Sequence, residues 1–520
     1  VAKIKTSNPS AARNLPKRNT ARKYFTGALV AVGLAALGVA AGVASASLPL
    51  KILLGAVGFI ALFIVIYKNP FIGILLFLAF NLTLPQAGPS LALGLQMGVV
   101  GETRGLHFNI HEIIMAMVLF AWLIKVFLKK ASWREKSPMT IPIILYVLTS
   151  ILACFVGILN GGSYLLAAFR FVRTTLFVYI FFIFLNNVKT RKQVQQVIVV
   201  FMICATLVAL FGLVQKVLGQ AWSENFSVKV FSKLGYPREV NYVAGESGGQ
   251  AYRVNSSFLH PNVLGAYLVL VLPFFVSLLW CYRRRLHRLL LISGLGIVIA
   301  CLFFTGSRAA WIAAATIALL YFIFGFLDKR MVLCLITLIL LVSIVIGVMY
   351  PPDFVKKRFV SLTAKEAAKI RIYQYSLALD FFMEHPLFGL GMGMEGRRIR
   401  VNNITQMWAA VENAYLTYLV SHGLVGFSAF ILLFIVYWIM LLLAWSNART
   451  DPFIKYHAEA LFLGIVGIAV ASLFGAWLLF GIAMVTIFWS VLGTAGSLYN
   501  IARREGFLVD KTARKPLFSS

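Results

Sequence analysis

Three groups of polar residues interrupt an otherwise apolar chain, and each contains an arginine. The first is Arg253 with Ser256-Ser257-Phe258-Leu259-His260-Pro261-Asn262; the second is Thr305-Gly306-Ser307-Arg308; the third joins Arg371 to Glu412-Asn413. A guanidinium is a planar fork of donors that matches phosphate oxygens two at a time, so arginines converging on a cavity suit a phosphorylated ligand. Arg308 lies between two apolar runs. An arginine there is costly unless it is paired or faces water, which makes it a candidate binding residue; snorkelling to the headgroup level is the other reading. Arg371 shares its segment with Lys365 and Lys369 and by itself reads as a solvated or headgroup-binding charge. Glu412 suits a general base or a partner for one of the arginines, and His260 a packed or interfacial histidine as readily as a base. Gly389, Gly391 and Gly393 read as a flexible turn, because the strand–helix context of a nucleotide loop is missing. The outer-loop residues show no metal-ligand spacing, no Walker loop and no GxSxG elbow, so neither a metal nor a cofactor is expected.

What must position these residues is a membrane bundle. The chain has 520 residues, of which 60% are hydrophobic and 12% charged, with a mean hydropathy of +0.87. A soluble protein of this length needs far more polar surface. Apolar runs long enough to cross the hydrocarbon recur at 25–47, 50–67, 70–86, 109–128, 140–158, 164–186, 194–217, 257–280, 288–305, 309–327, 331–349, 418–445, 457–475 and 477–499. The expected fold is an all-α, polytopic transmembrane helix bundle of 12–14 spans with a long helical extracytoplasmic loop. The first apolar run follows a basic arm and reads as a span rather than a cleavable signal. Cys154, Cys204, Cys281, Cys301 and Cys334 lie in or beside apolar runs without a CxxC pair and read as packing residues.

The formal charge of +31 is spread over short segments between spans, which is the positive-inside pattern and suits anionic lipid headgroups, not nucleic acid. A cytoplasmic basic arm at 1–24 places the basic joints at Lys129/Lys130, Lys189/Arg191, Arg283/Arg284/Arg285 and Lys329/Arg330 inside, together with a basic tail at 501–520. The same alternation places every connection longer than about 20 residues outside: 87–108, 218–256 and 350–417, between the main bundle at 25–349 and the last helices at 418–500. Within 350–417, Thr363 and Glu366 have capping-box spacing. Ile370, Tyr373, Leu377 and Phe381 then recur at helical spacing as far as Pro386, predicting an amphipathic helix on the membrane or capping the bundle.

Taken together these residues resemble the O-antigen ligase/polymerase family. The resemblance is carried by Arg253 to Asn262, by Thr305 to Arg308, by Arg371 with His385-Pro386-Leu387-Phe388-Gly389-Leu390-Gly391, and by Glu412-Asn413 nine residues ahead of Gly423-Leu424-Val425-Gly426. No motif is specific alone; their order, spacing and shared outer location are. The final motif of the ligases usually begins with histidine, where this chain has Glu412, which leaves room for a polymerase that extends the glycan itself. A carboxylate at this position could still accept the acceptor's proton.

The resemblance implies an inverting, metal-independent glycosyltransferase without cofactor at the outer face of the bacterial inner membrane. It would move a glycan from an undecaprenyl diphosphate-linked donor to a glycan or lipid acceptor. Arg308 and Arg371 would hold the diphosphate, Glu412 would be the base, and Arg253, His260, Asn262, Ser307 and Asn413 would bind or position substrate. A flippase of lipid-linked sugars, which should show broken helices or repeat symmetry, and a non-catalytic scaffold of a polysaccharide assembly complex are the alternatives.

Overall fold

The computed structural model describes residues 48–84, 97–99, 102–104, 110–131, 135–172, 177–226, 253–258, 260–282, 284–323, 365–394, 398–401, 404–407, 411–476 and 482–508, with Thr175 and Lys229. Among them are fourteen α-helices: α1 (Leu48–Lys68), α2 (Pro70–Thr83), α3 (Ile110–Phe127), α4 (Thr140–Leu159), α5 (Tyr164–Phe171), α6 (Val178–Asn187), α7 (Arg191–Phe226), α8 (Pro261–Cys281), α9 (Arg285–Phe304), α10 (Arg308–Ile323), α11 (Lys365–Glu384), α12 (Ala414–Asn447), α13 (Pro452–Ala471) and α14 (Ile482–Arg504). α1 belongs to a first compact unit ending at Asn69; the chain from Pro70 forms a second. Two antiparallel ribbons lie in the long connections, β1 (Met97–Val99) with β2 (Glu102–Arg104) and β3 (Arg398–Val401) with β4 (Ile404–Met407). In the second ribbon Arg398 faces Met407 and Val401 faces Ile404.

The chain is an all-α polytopic bundle, and among the described residues eight helices are long and apolar enough to cross a membrane. Their polarity is arranged for lipid rather than water. α4 turns Ile141, Ile144, Leu148, Phe155 and Ile158 outward while Tyr146, Ser150, Ala153 and Gly157 face the protein. α7 likewise exposes Ile203, Leu207, Leu210, Val214 and Val217. An apolar stripe of that length has no place on a soluble surface. α8 and α14 are the innermost helices, the second almost wholly enclosed. Along α14 the hydroxyls of Ser490, Thr494 and Ser497 each donate to the carbonyl four residues back, which lets polar side chains sit in an apolar core.

Where helices start, the sequence supplies the caps. Ser163 accepts from Leu166 N ahead of α5, Asp451 accepts from Ile454 N ahead of Pro452 in α13, and Asn413 accepts from Tyr415 N and Leu416 N ahead of α12. The run expected as one span over 164–186 holds α5 and α6, and the stretch between them lies partly outside the described residues. The expected runs at 25–47 and 331–349, the capping threonine Thr363, and Cys334 lie outside the described residues.

Contacts sort the helix ends into two sets. At one end Arg191 binds Asp451 and Glu505, Lys189 lies 3.4 Å from Glu135, and Trp280 stacks on Tyr456. At the other, Tyr415 Oη at the start of α12 donates to Ala469 O near the end of α13 at 2.9 Å. α13 runs antiparallel to α8, since Cys281 at the end of α8 lies near His457 while Gly467 lies against Val269. The starts of α8 and α12 therefore share the second end, and the arginine motifs gather there.

Candidate functional site

Arg253 is pinned before it meets any ligand. Its Nε donates to Thr305 O at 2.9 Å and its Nη2 to Asn262 Oδ1 at 2.6 Å, and its side chain is buried. The first two sequence groups are thus one structure. Val254 N donates to Phe304 O at 3.1 Å, which runs the approach to α8 alongside the turn between α9 and α10. In that turn Gly306 has φ +57°, Thr305 Oγ1 donates to Leu302 O at 2.7 Å, and Ser307 Oγ accepts from Ala310 N at 3.4 Å. Ser307 is the cap of α10, and Arg308, half-buried, is that helix's first residue. The sequence places Ser307 with substrate; the geometry gives it this capping bond. His260 is exposed and caps α8, its Nδ1 accepting from Asn262 N at 3.1 Å.

The third group closes on itself. Arg371 Nη2 lies 2.6 Å from Glu412 Oε2, and Tyr375 Oη donates to Glu412 O at 3.3 Å. Arg371 therefore pairs with Glu412 while keeping 37% of its side chain exposed. Glu412 has 51% of its side chain exposed. It sits just outside the apolar floor in which Ala378 and Phe381 of α11 pack against Leu390, Met394, Val411 and Val420. Asn413 is spent on capping α12, and Thr417 Oγ1 donates to Val411 O at 3.1 Å, so the carboxylate is held at a rigid helix start.

The glycine-rich segment that follows Pro386 is a strap, not a flexible turn. Leu390 N donates to Val420 O, Gly391 N to Ser421 O and Met392 N to Ala153 O, while Ser163 N donates to Gly393 O. Asn160 Nδ2 adds a bond to Leu390 O at 3.0 Å. Gly389, Gly391 and Gly393 have φ of +70°, +88° and +85°, and a Cβ on Gly391 would run into the backbone of Gly157 in α4. The strap crosses α12 where Gly423, at φ +63°, breaks that helix, and there Leu424 N and Val425 N donate back to Pro386 O and Leu387 O. Glycine is required here by both backbone sign and lack of space. α11, the strap and the start of α12 are consequently one unit bolted to α4 and α5.

Direct bonds thus build two clusters at one end of the bundle, Arg253–Asn262–Thr305 beside Arg308 and Arg371–Glu412 beside Asn413. α13 packs against α8, α10 and α12 and so joins the helices that carry them. Chemically the clusters offer fixed guanidiniums for an anion and an accessible carboxylate held against one of them. Sequence reasoning missed Gln215, whose Oε1 accepts from Ser256 N at 2.8 Å and whose Nε2 donates to Ser256 O at 3.4 Å. It also missed Lys216, whose Nζ lies 5.5 Å from the centre of the Phe304 ring. A Gln-Lys pair near the end of an apolar run was the available signal. Asn160 and Ser163, in an Asn-Gly-Gly-Ser turn, gave none beyond turn chemistry.

Residues 294–431 match the family described as O-Antigen ligase. The matched stretch holds the turn at Thr305–Arg308, Arg371, the glycine strap and Glu412 through Gly426; Arg253, His260 and Asn262 lie before it and reach it through the Thr305 carbonyl. No curated protein matches the chain.

Proposed function

We propose that this chain, a polytopic membrane protein whose residues 294–431 match the O-antigen ligase family, is a glycosyltransferase of polysaccharide synthesis that uses a polyprenyl diphosphate-linked glycan as donor. The observation that carries the reading is the 2.6 Å pair of Arg371 with Glu412: the cation suited to the leaving diphosphate sits on the carboxylate suited to the attacking hydroxyl. When the donor's diphosphate takes the Arg371 fork, Glu412 is released to act as base. Arg308 holds the same diphosphate from the other cluster, and Arg253, fixed by Thr305 and Asn262, supports the turn that presents it. The acceptor oxygen attacks the anomeric carbon, its proton passes to Glu412, and the bond from that carbon to the phosphate oxygen breaks with the electron pair leaving on the diphosphate. Direct attack inverts the anomeric centre. No step calls on a metal. Fixed guanidiniums lower this barrier because they need no reorganisation as charge develops, an effect worth about 3 kcal/mol per donor.

The site is placed on the extracytoplasmic face of the bacterial inner membrane, with both termini cytoplasmic. Supporting this, the basic joints Lys189/Arg191 and Arg503/Arg504 lie at the end opposite the arginine clusters. A second reading, a transporter of lipid-linked sugars, is favoured by one feature, the break of α12 at Gly423. Purified protein given a fluorescent polyprenyl diphosphate oligosaccharide in EDTA separates the two. Release of the carrier diphosphate supports the transferase: a ladder of products on the carrier means a polymerase and a single transfer means a ligase. Movement of intact donor across a vesicle, with no release, means the transporter.

A further inference from the structure

Lys216 belongs to neither sequence motif, yet its position joins it to both halves of the first arginine cluster. Gln215, one residue earlier, grips Ser256 by two hydrogen bonds, and Ser256 Oγ donates to Val208 O at 2.6 Å, so α7 is fixed to the segment that begins at Arg253. Lys216 Nζ lies over the ring of Phe304, the residue that precedes Thr305, and Thr305 is the residue whose carbonyl holds Arg253. Arg308 follows three residues after Thr305 in the same turn. Lys216 and Arg253 thus reach this turn from two other segments of the chain, at Phe304 and at Thr305, and Arg308 is the turn's last residue.

The level in the bundle fits as well. α7 is anchored at its start by Arg191, which binds Asp451 and Glu505, and Lys216 lies 25 residues further along. That rise is about 37 Å at 1.5 Å per residue, the distance from one headgroup layer to the other across roughly 30 Å of hydrocarbon. Immediately beyond, Gly219 at φ +85° turns the chain off the helix axis, so Lys216 occupies the last straight turn. Gly212, one turn below, has Val254 and Cys301 against it and leaves no room for a larger side chain, which brings α7 close to α9 at this height. A lysine held there by packing on Phe304, half-buried, presents a compact ammonium at the depth of a lipid phosphate.

We infer that Lys216 is the third cation of the phosphate site, supplied by α7, and that it takes the diphosphate of a membrane-borne polyprenyl carrier between itself and Arg308. The inference rests on the donor class proposed above and adds to it a binding residue outside the family-matched stretch. Lys216 contributes charge to ground-state binding and not to the attack, so its loss raises the donor's KM and leaves the turnover rate near the wild-type value.

The test uses the purified full-length chain in nanodiscs. Retention of radiolabelled undecaprenyl diphosphate measures carrier binding directly. Acetylation of Lys216 by an amine-reactive ester, mapped by mass spectrometry, is followed with undecaprenyl diphosphate, with undecaprenol, or with phosphatidylglycerol added. Protection by the diphosphate alone is expected, and Lys216→Gln should raise the donor KM about tenfold with kcat within about twofold, Lys216→Arg restoring it. Equal protection by phosphatidylglycerol would make Lys216 a headgroup anchor and overturn the inference. So would unchanged labelling while the wild type retains the diphosphate, a result that needs no variant to fold. Failure of the wild type to retain the diphosphate would overturn the proposed donor class, and this inference with it.

Discussion

At the scale of single residues, the account depends on a pair that contributes little to stability. Exposed ion pairs contribute about 0–1 kcal/mol, and Arg371–Glu412 has 37% and 51% of its side chains exposed. Glu412→Gln is therefore expected to leave the thermal midpoint almost unchanged while lowering glycosyl transfer about a hundredfold or more, as for loss of a general base. A fall in midpoint that accounts for the lost activity would make the pair structural. Asn413→Ala should behave in the opposite way, costing about 1 kcal/mol of stability through the lost cap, with activity in the folded fraction retained. The residue types at this site were legible in the sequence: Arg253, Arg308, Arg371 and Glu412 stood out because charge is scarce in an apolar chain. Their partnerships were not. Arg371 and Glu412 are 41 residues apart, and the bonds from Arg253 to Thr305 and from Gln215 to Ser256 span 52 and 41 positions, separations that no local spacing rule covers.

Among the elements, the glycine strap is where the sequence reading and the structure part. Gly389-Leu390-Gly391-Met392-Gly393 has the composition of a loose turn, and nothing local tells that Gly157, over 230 positions earlier, leaves space for it. Gly391→Ala meets the α4 backbone at a positive φ, so a destabilisation of about 2–4 kcal/mol is expected, combining strain and overpacking. Gly161→Ala is the control: φ is +80° but the space around it is open, so only the smaller backbone cost of about 1 kcal/mol should be seen. Comparable melting points for the two variants in detergent would mean that the strap is not tightly seated. The helices themselves were easier, because a membrane span is set by apolar length, and α3, α4, α8 and α12 begin or end within a few residues of expectation.

For the whole molecule, the clearest expectations concern its two ends. A membrane-impermeant maleimide should label Met383→Cys on α11 in intact cells and Lys130→Cys only after permeabilisation; the reverse pattern would invert the proposed orientation. The end that carries Arg191 has its own pH signature. Burial works against the Asp451 carboxylate, but the Arg191 guanidinium and the amides that begin α13 outweigh it and hold the carboxyl below its usual range. Such a group stabilises the fold above its unfolded value, about 4, and the contribution is lost as pH falls through the lower, folded value. Asp451→Asn should therefore melt below the wild type at neutral pH, with the gap closing on acidification; a gap independent of pH would remove the clamp from the account. The central claim, transfer of a glycan from a polyprenyl diphosphate by the outer arginines and Glu412, is met most directly by one assay. Purified wild type, Arg308→Ala and Glu412→Gln are given the same fluorescent lipid-linked oligosaccharide, and free carrier diphosphate is quantified. The account predicts release by the wild type and a loss of about 100-fold or more in both variants. Equal release by all three proteins would contradict it.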